Sequence, residues 1–149
     1  MIRIRPPGPR RSNLLINNVQ IQIAMIIKDN LTLKDIQREF SAKFPNLKIA
    51  FFSVSHSEGE GSPKDAEIDP EARLDEVRTV QNEGKLEITP EMTVAELEKL
   101  FLDMFGLNVQ VMRQSGNLWM QTTATDDWTL ERQNRKGGSS KVHYDEKYQ

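Results

Sequence analysis

Three acids gather near one point of the chain: Asp126, Asp127 and Glu131. Carboxylates beside a turn suit a hard cation such as magnesium or calcium. Their spacing is not that of a calcium-binding loop, and acids ahead of a helix have a simpler use in capping it and opposing its dipole. No metal is therefore assigned to them. The two histidines, His56 and His143, lie in a Gly-rich stretch and near the C-terminus, with no nucleophile or acid at a readable spacing. Gly59-Glu60-Gly61 lacks the strand, helix and lysine of a phosphate-cradling loop. Cysteine is absent, which excludes disulfides, thiolate metal sites and a cysteine nucleophile. The expectation is a non-enzymatic protein with no catalytic residue and no cofactor.

Binding is the chemistry that remains. In the stretch Leu118 to Thr123, Leu118, Met120 and Thr122 alternate with Trp119, Gln121 and Thr123, so each face carries a large apolar group. Aromatics on a hairpin surface anchor partners well. The candidate contact set is Trp119, Gln121, Leu100, Met104 and Trp128, for a protein partner or a second copy of the chain. One alternative is single-stranded nucleic acid, stacked on an open sheet face and held by a basic arm containing Arg3, Arg5, Arg10 and Arg11, and another is an unrecognised small-ligand binder or enzyme for which no residue is nominated. That sheet face offers mostly Gln, Ala and Thr, and the net charge is -2, so nucleic acid is the weaker reading.

The elements that position these groups follow from periodicity. Residues 19–28 alternate as a strand, with Val19, Ile21, Ile23, Met25 and Ile27 on one face. Helix one begins at the cap Thr32, answered by Asp35, and Leu31 staples to Ile36. Leu33, Ile36, Phe40 and Phe44 form its apolar stripe, and Pro45 stops it. Leu47, Ile49 and Phe51 give a second strand. Asp69-Pro70 reads as a cap and first position of a short helix through Leu74 and Val77.

Leu86 to Ile88 is a third strand. Helix two starts at Thr93 with Glu96 completing a capping box. Its apolar arc spans roughly 140°, against roughly 80° for helix one, so it is the more buried or faces something extra. Gly106 ends it. Leu107, Val109 and Val111 form a fourth strand, hairpinned through Gln114-Ser115-Gly116-Asn117 to a fifth at 118–123. A third helix starts at Thr129, and Gly137-Gly138 should stop it.

Much of this is said twice. The stretch 27–44 returns as 88–105, with Ile27/Ile88, Thr32/Thr93, Phe40/Phe101 and Phe44/Phe105 identical. The match covers a strand end, a cap, a staple and a buried stripe. Asp126-Asp127-Trp128-Thr129-Leu130 echoes Asp29-Asn30-Leu31-Thr32-Leu33 again. Two strand–helix–strand units point to an α+β fold, ferredoxin-like, with a mostly antiparallel sheet and both main helices on one face. A C-terminal hairpin strand and a short helix extend it.

The 149 residues then divide into a flexible basic Pro-rich arm (1–13), one domain (14–137) and a flexible tail (138–149). Within the domain, the repeats span 20–53 and 85–113, and residues 55–68 form a flexible acidic loop. The segment from Ile88-Thr89-Pro90-Glu91-Met92-Thr93-Val94-Ala95-Glu96-Leu97 to Thr125-Asp126-Asp127-Trp128-Thr129-Leu130-Glu131 resembles one that recurs in small uncharacterised bacterial proteins. That resemblance implies no activity, cofactor or partner. No run of about 18 apolar residues occurs and the N-terminus lacks a signal-like apolar core, so a cytoplasmic location without membrane contact is expected.

Overall fold

The computed structural model describes residues 23–53, 66–82 and 84–148. In chain order these form β1 (Ile23–Ile27), α1 (Leu33–Lys43), β2 (Leu47–Phe52), α2 (Leu74–Val77), β3 (Gly84–Ile88), α3 (Val94–Phe105), β4 (Asn108–Ser115), β5 (Leu118–Gln121), a 3-10 turn at Thr123–Thr125, and α4 (Leu130–Tyr148). The basic arm 1–13 and residues 55–65 of the acidic loop lie outside the described residues. Residues 66–68 are described, and they pair with β2: Ser53 N donates to Ala66 O and Ile68 N to Phe51 O.

The protein is α+β with antiparallel strands, but the described strands form two ladders instead of one ferredoxin-like sheet. β1 pairs with β3, while β2, β4 and β5 form a three-stranded sheet in that order. A ferredoxin-like order would place β2 and β4 at opposite edges. Here they are neighbours, with Ile49 opposite Val111 and Phe51 opposite Val109. Pairing these positions puts the most apolar alternating residues of both strands on one face, which α1 and α3 cover. Phe51 meets Phe101 edge-on at 6.2 Å. Ile27, Leu86 and Ile88 close the same core from the two-stranded ladder.

Four helix starts of one kind organise the chain. The first position of each helix, Leu33, Leu74, Val94 and Leu130, is fully buried. A buried helix start leaves its leading N–H groups without water, so each needs a partner. Here the starts satisfy one another in pairs. Leu33 N and Lys34 N donate to Ala72 O and Pro70 O (3.0 and 2.9 Å), while Leu74 N and Asp75 N donate back to Leu31 O and Asp29 O (2.7 and 3.2 Å). The second pair repeats the pattern. Val94 N and Ala95 N donate to Trp128 O and Asp126 O (3.1 and 2.8 Å), and Leu130 N and Glu131 N donate back to Met92 O and Pro90 O (2.8 and 2.9 Å).

At three starts the next amide goes to a threonine hydroxyl: Asp35 N to Thr32, Glu96 N to Thr93 and Arg132 N to Thr129. The short acid at Asp35 also closes its box, accepting from Thr32 N at 3.0 Å. At Thr93 only the forward bond forms, and Glu96 stays exposed. α2 starts later than Asp69-Pro70 suggested, because Pro70 O is committed to Lys34 and Arg73 takes the cap position.

The larger apolar arc of α3 turns inward: Leu100 and Met104 are half-buried against the core. Gly106 caps α3 with φ 65°. The largest departure from expectation is α4, which runs through Gly137-Gly138 to Tyr148, so the helix does not stop at the glycines and residues 138–148 are helical. These glycines mark a close approach, not a helix end. A Cβ on Gly137 would stand 2.9 Å from Asn46 Cβ and 3.0 Å from Asn46 O, whereas one on Gly138 would meet only the Asn46 side chain, at Nδ2. Asn46 is itself fixed by α4, its N–H donating to Asn134 Oδ1 at 2.8 Å.

Two predictions follow from these contacts. Gly137→Ala gains helix propensity but meets backbone, so thermal denaturation should show a net loss of about 1–2 kcal/mol. Gly138→Ala should be neutral or stabilising by up to ~1 kcal/mol. Separately, the Thr32 N–H holds the Asp35 carboxyl below the usual carboxylate range. A carboxylate depressed by folding stabilises above its unfolded value and loses that contribution as pH falls through its folded value. Asp35→Asn should therefore shrink the loss of urea stability between pH 7 and pH 3; an unchanged pH profile contradicts the assignment.

Candidate functional site

The expected contact residues do not converge. The β4–β5 register sets Trp119 opposite Gln114 and Gln121 opposite Met112, on the face away from the helices. Trp119 is half-buried there, with Lys48 Nζ 4.8 Å from its ring centroid. Leu100 and Met104 belong to the core side. Trp128 packs against two guanidiniums: Arg132 of α4 stacks on it at 3.7 Å, and that of Arg113 lies 5.5 Å from its centroid. Arg3, Arg5, Arg10 and Arg11 fall outside the described residues, as does His56. His143 is an exposed residue of α4.

Asp126 contributes its carbonyl to Ala95, and Glu131 pairs with Arg135 one turn on, at 3.7 Å.

Two of the surface clefts among the described residues are related by the repeat. One, of about 340 Å³, lies between α1 and β2 and is lined by Lys34, Gln37, Arg38 and Ser41. The other, of about 190 Å³, lies between α3 and β4 and is lined by Ala95, Glu98, Lys99 and Leu102, the matching positions of the second unit. Their polar groups are engaged in structure. Gln37 Nε2 donates to Ile49 O at 2.8 Å, and the equivalent Glu98 accepts from Val111 N at 3.3 Å. Lys34 pairs with Glu71 and Lys99 with Asp103. Each cleft is the seam where a helix leaves a strand, so its place is set by the architecture.

A different corner combines exposure with buried charge. β5 is the outer strand of its ladder among the described residues. Thr122 N donates to Val111 O, so by alternation the main chains of Leu118 and Met120 turn toward β4 and that of Trp119 turns outward. Leu118 is 68% exposed and Met120 41% exposed. Both stand on the helix-bearing face, Met120 opposite Arg113 and Leu118 opposite Ser115. α4 closes beside them: Ser140 Oγ accepts from Gly116 N at 2.7 Å.

Arg113 occupies the inward register of Val109 and Val111, a charged residue on a core-facing row. It is only 8% exposed. Nη1 donates to Gln133 Oε1 at 2.7 Å, and Nη2 lies 3.6 Å from Met120 Sδ. Gln133, fully buried, spends its amide on Thr125 O and Oγ1. Burial pushes the Arg113 guanidinium below the usual arginine value. The sequence signal that marks this site is the inward-facing charge at the end of an apolar alternation.

Comparison with protein-family models, with curated proteins and with solved structures found no match. No helix among the described residues is long and apolar enough to cross a membrane.

The Arg132–Trp128 stack gives a direct test of this corner. Arg132→Ala should red-shift Trp128 emission and cost about 0.5–1 kcal/mol in urea denaturation. An unshifted spectrum contradicts the stacking.

Proposed function

We propose that this protein is a non-enzymatic binding module that receives an extended segment of a partner protein along β5. The observation that carries this reading is the exposure of Leu118 and Met120 side by side on an outer strand. Large apolar groups on an outer strand are costly in water and invite edge pairing unless something covers them. Strand addition would cover them, with main-chain hydrogen bonds supplying affinity and alternate side chains supplying choice. Met suits such a surface because its unbranched side chain repacks readily against different partners. The neighbouring Trp and Arg groups are the types that concentrate binding energy at interfaces. In this reading Trp128 belongs to the contact region, while Trp119 takes part through its outward-turned main chain.

Panning random peptides on the full-length chain tests the proposal. Selected peptides should shift the amide resonances of residues 118–121 and lose at least about tenfold in affinity to Leu118→Asp. Peptides whose shifts map to another face, or whose binding survives both Leu118→Asp and Met120→Asp, would overturn it.

A further inference from the structure

We infer that Arg113 is the selectivity residue of this docking edge and that it takes a carboxylate side chain of the docked segment; the inference rests on the strand-docking reading above. Among the described residues two guanidiniums are buried, and they are treated differently. Arg78 is fully partnered: it meets the Asp29 carboxylate at 2.7 Å, the Val80 carbonyl at 2.7 Å and the Asn82 carbonyl, and it stacks on Phe105. Arg113 is buried too, yet its polar contacts are a neutral amide oxygen and a thioether. Among the described residues no carboxylate is ion-paired with it, nor with Arg132, which stacks on the same indole.

A buried cation without a counter-charge is costly, and a thioether returns little of that cost. The position of the thioether matters. Met120 belongs to the exposed row of β5, directly opposite Arg113, and its flexible side chain lies against Nη2. A docked strand that displaces the Met120 side chain reaches the guanidinium from the same row. An acidic residue on that strand would make a charge-assisted, desolvated hydrogen bond, which is the strong kind. Arg132, stacked on Trp128, adds a second positive charge to the same corner. Charge complementarity therefore selects an acidic extended segment over a basic or neutral one. The exposed Leu118 side chain supplies the apolar contact beside it.

Two seven-residue peptides, one alternating valine and glutamate and one alternating valine and glutamine, distinguish the possibilities when titrated against the full-length protein by fluorescence anisotropy. The glutamate peptide should bind about tenfold or more tighter at low salt. Arg113→Met should erase that preference while leaving the glutamine peptide unaffected, and Arg113→Lys should retain part of it. Replacing a buried charge by a side chain of similar volume is tolerated, and circular dichroism confirms the fold of each variant. Equal affinity of the wild-type chain for both peptides, with both weakened by Leu118→Asp, would overturn the role of Arg113 and leave edge docking intact. Binding of neither peptide at millimolar concentration would overturn both. Displacement of the glutamate peptide by inorganic phosphate at equal concentration would assign the corner to a free anion and also overturn the inference.

Discussion

The structure depends on how buried helix starts are satisfied. An N-terminal helical turn carries amides that cannot bond within the helix, and burying them is affordable only with fixed acceptors. This chain supplies those acceptors from a second helix start, in two equivalent clamps. Each clamp lets two apolar first positions, Leu33 with Leu74 and Val94 with Leu130, enter the core together. Each also joins segments far apart in sequence. The first ties α1 to α2, and the second ties α3 to α4. Pairing of β2 with β4 then joins the two clamped units into one core.

The clamp explains the form of the repeat. Capping threonines, staples and buried stripes recur at an offset of 61 residues because both units solve the same local problem. Local chemistry of this kind is legible in a sequence. Thr32, Thr93 and Thr129 lie where spacing puts them, and each accepts the amide that capping rules require. What the sequence does not display is reciprocity. A backbone carbonyl has no side-chain signature, so nothing in Asp69-Pro70-Glu71-Ala72 announces that Pro70 and Ala72 serve α1. Those residues read as a helix cap of their own. The sheet order is hidden for the same reason: alternation gives a strand its faces but not its neighbours.

Gly137-Gly138 misleads in a different way. Glycine ends helices when the chain needs a left-handed angle, as at Gly106, and it also appears where two backbones must approach. Only the contact with Asn46 separates these uses, and that contact is non-local. The candidate site shows the same division. Trp119 attracts attention by size, yet Lys48 already lies over it. Arg113 is quieter in the sequence but stands out by parity, as a charge continuing the inward row of Val109 and Val111. The proposed docking corner breaks the rule of apolar inside and polar outside twice, with Leu118 and Met120 outside and Arg113 inside. Functional sites are where such local conflicts are expected to persist.

Native-state hydrogen exchange of the amides of Leu33, Leu74, Val94 and Leu130 tests the clamps most directly. If paired helix starts hold the core, all four exchange only through global unfolding, with free energies equal to the total stability. Rapid exchange at Leu74 and Leu130 while Leu33 and Val94 remain protected would show that the helix starts stand alone, and would contradict the account.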